Sequence, residues 1–244
     1  MLVSYCRPDA VSLWRFRVQG APDGDDTAME HLARTRSERG ELALSRRPSG
    51  DLELRVNGVF VMDTADVTTE RMLAAAALRT CADPAAVLVG GLGLGFTLAE
   101  VLADPRVERC VVVEIEPDVV TWMRDGTVAH GPELLADARV EVLVADVADV
   151  LMAASAEFDL VLLDVDNGPG YLVHERNGEL YEQPALTRLC RALRPGGVLA
   201  VWSSAPAPEL HEALSATFAA VQVSALPVRL QDRDEEYVLY SART

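Results

Sequence analysis

Lysine is absent: all 22 basic side chains among the 244 residues are arginine. Schiff-base chemistry on a protein amine, a lysine-anchored pyridoxal group and a Walker-type phosphate loop each need that amine and are excluded. Histidine is scarce, and His31, His130, His174 and His211 are dispersed, without the pairing that zinc ligands show. Cysteine is equally sparse. Cys6, Cys81, Cys110 and Cys190 have no paired spacing, and Cys110 and Cys190 fall in apolar segments, as buried free thiols do. No apolar run approaches the ~18 uncharged residues of a membrane span. Residues 1–10 carry Arg7 and Asp9 where a signal peptide has its apolar centre. The expectation is a reduced, cytoplasmic, metal-independent protein. Positive charge is short overall, 22 basic against 38 acidic side chains for a net charge of −16. That balance argues against broad nucleic-acid binding, which needs a basic face to neutralise phosphates. Solubility accounts for most of it, and cationic or neutral small molecules suit it as partners. The arginines at 34–39 and 46–47 read as solvated surface.

Half of the residues are hydrophobic, enough for a full core at this length. Residues 1 to about 40 carry little signal beyond an alternating stretch, Val11–Val18. From Glu41 the pattern sharpens. Alternating apolar residues at Leu42–Leu44 and Leu52–Val56 flank a turn, and Asn57-Gly58 precedes Val59–Met62. A small β meander over roughly 41–63 follows. Thr68 or Thr69 can cap a helix reaching Arg79. After Asp83-Pro84, a wholly apolar run at 86–89 and further mainly apolar runs (109–113, 140–144, 158–163, 198–202) are mostly separated by helical patterns. Such alternation predicts an α/β, doubly wound, mostly parallel sheet, completed to seven strands by two near 221–224 and 237–240 around a charged loop at 231–236. The division expected is an N-terminal β-rich region, 1–66, and a Rossmann-like catalytic domain, 67–244.

Ligands of such sheets sit outside the carboxyl ends of the strands. Four of those ends are distinctive: a glycine loop at 90–95, then Glu114, Asp146 and Asp164. Glycines let the backbone approach a ligand and turn into a helix with a partly positive N-terminus. Glu114, 19 residues beyond Gly95, can accept both hydroxyls of a ribose. The dinucleotide fingerprint fails, because Phe96 stands where its third small residue belongs. A loop that need not hold a pyrophosphate suits a nucleoside such as S-adenosylmethionine. The cofactor-binding set is then Gly91, Gly93, Leu94, Gly95, Glu114, Ile115, Asp146, Val147 and Asp164. Asp164 and Asp166 are the candidate catalytic carboxylates, and Tyr171, His174, Glu175, Asn177 and Tyr181 a candidate lid. Trp122 and Met123 read as core or adenine-edge packing, and Trp202 as a residue that could line the pocket.

These stretches resemble the class I S-adenosylmethionine-dependent methyltransferase fold and, within it, the spermidine/spermine synthase branch. The likeness rests on Val87–Gly95, Asp104–Glu108 with Val111–Pro117, Asp137–Val142 with Ala145-Asp146, Phe158–Asp164 and Leu193–Val198. It implies that Glu114 holds the ribose, Asp146 the adenine amino group and Gly91–Gly95 the sulfonium portion, with Asp164 at the catalytic aspartate position. Departures accompany it. Leu94 replaces an aspartate of the family's glycine loop, Ala76-Ala77-Leu78 replaces its Tyr-His-Glu, and Asp164–Pro169 departs from its Asp-Ser-Ser-Asp-Pro. A carboxylate at position 94 would repel that of intact S-adenosylmethionine, so Leu94 admits the intact molecule.

The leading expectation is therefore an S-adenosylmethionine-dependent transferase alkylating a small amine-bearing acceptor, with no metal, nucleic acid or membrane involved. The alternatives are an aminopropyltransferase using decarboxylated S-adenosylmethionine, intramolecular displacement within S-adenosylmethionine releasing methylthioadenosine, and a non-catalytic nucleoside-binding protein. Exposed meander edges suggest a homodimer.

Overall fold

A computed structural model describes residues 29–165, 168–170, 172, 175–230 and 233–244. Two sheets form the framework. The first is antiparallel, in the order β1 (Glu30–Ser37), β2 (Gly40–Arg46), β3 (Leu52–Val56), β4 (Val59–Asp63). The Asn57-Gly58 turn joins β3 to β4 with positive φ at both residues, 52° and 77°, the conformation a two-residue hairpin requires. Strand β1 extends the expected meander by one member. Its burial is only partial along the whole strand, so no clean alternation marks it in the sequence.

The second sheet has seven strands in the order β10-β11-β9-β8-β5-β6-β7. Strands β5 (Ala86–Gly90), β6 (Arg109–Glu114), β7 (Val140–Val144), β8 (Phe158–Leu163) and β9 (Leu193–Ser203) run parallel. Strands β10 (Ala220–Leu230) and β11 (Arg233–Arg243) form an antiparallel hairpin against β9. The charged loop expected at 231–236 is thus a correction: Arg233–Glu236 pair within the hairpin, backbone to backbone. Pro227 is tolerated because β10 is the edge strand.

The apolar runs within β5 and β6 are explained by burial on both faces. In β5, Val87 and Val89 join one core and Leu88 the other; in β6, Cys110 and Val112 part from Val111 and Val113 in the same way. The first core packs under α1 (Thr68–Thr80), α2 (Phe96–Ala103), α3 (Pro117–Asp125) and the N-terminal sheet; the second lies under α5 (Val147–Ala153), α6 (Gln183–Ala192) and α7 (Pro208–Thr217). A short α4 (Gly131–Leu135) bridges α3 and β7. Thr68 and Thr69 lie inside α1 and no side chain caps it, contrary to the capping expectation. Cys81 and Cys110 are buried free thiols, while Cys190 is only partly buried. Strand order reverses between β5 and β8, which opens a crevice at their carboxyl ends. No described helix is long and apolar enough to cross a membrane.

Candidate active site

A cavity of about 390 Å³ occupies that crevice. Strands β2, β3 and β4 supply an apolar wall that includes Leu42, Val56, Phe60 and Met62; the carboxyl ends of β5, β6, β7 and β8 supply the floor. The two sheets therefore enclose the site together.

The glycine loop is shaped by crowding. Gly91 has φ +96°, and a side-chain carbon there would overlap the Asp164 carbonyl. The loop leaving β5 and the end of β8 thus pass in backbone contact, which only glycine permits. Gly93 lies under the Met62 sulfur, and Gly95, which precedes α2, packs against Leu134 and Met123. Met62 Sδ also accepts the Leu94 N–H at 3.3 Å.

Glu114 is buried beneath this loop. One carboxylate oxygen accepts the Leu92 N–H at 2.9 Å and, more distantly, that of Gly93 at 3.5 Å; the other accepts the Glu116 N–H at 2.8 Å. Burial raises its pKa above the ordinary carboxylate value despite those donors. The expected ribose acid thus also holds the glycine loop in shape, with lone-pair capacity left over.

Asp164 stands just past β8. Thr97, buried in the first turn of α2, donates its hydroxyl to Asp164 Oδ2 at 2.5 Å. Burial pushes Asp164 up from 3.8 to about 7; the Thr97 hydrogen bond opposes this and the neighbouring Glu70 charge reinforces it. Glu70, on the first turn of α1, is itself raised by burial and lines the same cavity. Neither Glu70 nor Thr97 stands out in the sequence. Each belongs to a helix far along the chain from Asp164, and only the packing of α1 against α2 brings them together.

Of the residues expected at the site, Gly91, Gly93, Glu114, Ile115, Asp146, Val147 and Asp164 line the cavity. Asp146 also caps α5, accepting the Ala148 N–H at 2.9 Å. Leu94 is a correction. Its side chain, 1% exposed, packs in the first core and does not line the cavity, because an apolar group gains more from burial there. Asp166, Tyr171 and His174 lie outside the described residues. Of the expected lid, Asn177 lines the cavity, whereas Tyr181 ends a 3₁₀ turn in the second core. Trp202 is a second correction: it is buried and stacks on Tyr237 with ring centres 4.9 Å apart. Trp122 and Met123 are core residues.

Of the arginines read as solvated surface, Arg34, Arg36 and Arg46 are exposed as expected, but Arg39 and Arg47 are a further correction. Arg47 bonds Glu53 and Asp63, both buried, and Arg39 bonds buried Glu116. Arginine reaches such acids while its stem stays partly exposed, so its position in a polar run conceals the role.

Comparison with known proteins agrees with this architecture. A family model described as the spermine/spermidine synthase domain matches residues 66–228. The chain is 34% identical over 158 residues to a polyamine aminopropyltransferase of Synechococcus, covering 59% of this chain and 47% of that protein. It is 36% identical over 128 residues to putrescine N-methyltransferase 2 of Nicotiana tabacum, covering 50% and 33%. The matches thus span half or less of these relatives' lengths. Spermidine synthase from Thermotoga maritima superposes with a TM-score of 0.73 at 20% identity, covering 88% of this chain and 72% of that one, a likeness of fold. With two thirds of its residues inside the matched family domain, this chain belongs to the spermine/spermidine synthase family.

Proposed function

We propose that this protein transfers the aminopropyl group of decarboxylated S-adenosylmethionine to a small amine. The observation that carries the reading is the charge of the cavity. Glu70, Glu114, Glu116, Asp146 and Asp164 line it, and no basic side chain does so among the described residues. Such a wall favours a sulfonium donor and an ammonium acceptor, and it opposes a ligand bearing its own carboxylate. Leu94 made intact S-adenosylmethionine the leading expectation. With that side chain turned into the core, the remaining acids decide, and they favour the decarboxylated donor.

The chemistry fits the residues present. Glu114 and Asp146 would hold the nucleoside, and the apolar residues of β3 and β4 would cover it and exclude water. An ammonium acceptor must lose a proton before its nitrogen attacks the carbon beside the sulfonium. The C–N bond then forms as the C–S bond breaks and methylthioadenosine leaves. Asp164, with its pKa near 7, is matched to accepting that proton at neutral pH. Positioning by the two walls supplies the rest of the acceleration.

Methyl transfer from intact S-adenosylmethionine is the second reading, favoured by the apolar residue at position 94 and by the likeness to putrescine N-methyltransferases. Incubating the protein with putrescine and each donor form, followed by mass spectrometry, separates them. Methylthioadenosine with an aminopropylated amine is the expected product. Adenosylhomocysteine with a methylated amine would establish the second reading instead. Methylthioadenosine without an acceptor would signal intramolecular displacement, and donor binding without turnover a non-catalytic protein.

A further inference from the structure

We infer that Arg39, in the turn between β1 and β2, is a positioning residue for the nucleoside end of the cavity. The matched family domain begins at residue 66, so Arg39 lies outside it. The inference rests on the reading above that the Glu114 end of the cavity takes the adenosyl group.

A continuous set of hydrogen bonds joins this turn to the ligand-facing loop. Arg39 Nε donates to Glu116 Oε1 at 2.7 Å and Nη2 to the Ile115 carbonyl at 2.8 Å. Ser37 Oγ donates to the same Glu116 oxygen at 3.1 Å. The Glu116 N–H then donates to Glu114 Oε1, and Glu114 Oε2 holds the Leu92 N–H of the glycine loop. Asn57, itself lining the cavity, donates its side-chain amide to the Arg39 carbonyl at 3.3 Å and so steadies the turn.

Glu116 makes the arrangement dependent on Arg39. It is 4% exposed, and its Oε2 has no hydrogen-bond partner among the described residues. A buried carboxylate of this kind needs its counter-charge. Glu116 is also the N-cap residue of α3, yet its side chain makes no capping bond; it reaches instead to the N-terminal sheet. Without Arg39, the Glu116 carboxylate is expected to swing toward the N-terminus of α3, which it would otherwise cap. That change disturbs Ile115 and the N–H that orients Glu114. The guanidinium fork spans the Ile115 carbonyl and the Glu116 carboxylate at once, which a lysine ammonium, a single point charge, does less well.

The test is calorimetric binding of 5′-methylthioadenosine to the full chain, with donor kinetics alongside. Arg39→Ala should weaken binding about tenfold or more, the scale of a lost hydrogen bond to a charged group. It should raise the donor KM with kcat nearly unchanged at saturation, and Arg39→Lys should recover part of the loss. Thr35→Val is the control for mere sheet contact. It removes the Thr35–Asp118 hydrogen bond, 3.0 Å, from the same interface and should bind as wild type does. If Arg39→Ala does not fold, Arg39→Gln, which keeps one donor, should show an intermediate loss. The inference is overturned if the Arg39 variants bind like wild type, or if Thr35→Val weakens binding as much as they do. Failure of the wild type itself to bind methylthioadenosine would overturn the functional reading, and the role of Arg39 with it.

Discussion

Asp164→Asn should make the protein more stable at neutral and alkaline pH while sharply lowering its activity. The carboxyl is raised from 3.8 to about 7 chiefly by burial, so the folded state prefers it protonated. Between pH 4 and pH 7 the folded protein binds more protons at this site than the unfolded chain does. Stability from this group is therefore complete below about pH 4 and is lost as pH rises through about 7. At 1.36 kcal/mol per pH unit, the raised pKa corresponds to an upper limit of about 4 kcal/mol. The carboxyl is only partly buried at the edge of a cavity, so solvent screening reduces the observable value to about 1–2 kcal/mol. Asparagine keeps the shape and removes the charge. The assay is thermal melting of wild type and Asp164→Asn from pH 4.5 to 8.5. The variant's advantage should be small at pH 4.5 and grow up to about pH 7.5, with turnover lowered by about 10²–10⁴ for the lost proton acceptor. Two parallel melting curves would refute the reasoning, because they would mean that the Asp164 charge costs the fold nothing.

Two neighbours should move the same titration in opposite directions. Thr97→Val removes the hydrogen bond that favours ionised Asp164 and should shift the acid limb of the pH–rate profile upward, whereas Glu70→Gln removes a like charge and should shift it downward. Gly91→Ala should destabilise the fold by about 2–4 kcal/mol in denaturant titration, since the positive φ and the Asp164 carbonyl both oppose a side chain there. Arg47→Ala should cost about 3 kcal/mol in the same measurement, by leaving buried Glu53 and Asp63 without their shared partner.

Much of the half built on the seven-stranded sheet was legible because its signals are local. Strands buried on both faces leave uninterrupted apolar runs, and each run ends abruptly at Gly90, Glu114 or Leu163. The parallel arrangement follows from those runs and the helices between them; the strand order does not. Strand β1 was not legible, since its side chains are partly exposed along its whole length and its pairing with β2 is a backbone property. Hairpin β10–β11 extends through polar residues for the same reason. Within the site, Glu114 and Asp164 were marked by their places at strand ends. Glu70, Thr97 and Arg39 were not, because each acts across a distance in the chain that only tertiary packing closes. Leu94 shows the reverse limit: its alignment with an acidic position was legible, but the direction of its side chain was not.

The selectivity of the acid-lined cavity can be measured directly by titrating decarboxylated and intact S-adenosylmethionine into the protein under identical conditions. The account predicts tighter binding of the decarboxylated form by about tenfold or more, since a ligand carboxylate would meet Glu70 and Asp164 with no basic side chain described in the cavity wall. Equal affinity, or a preference for the intact molecule, would contradict it.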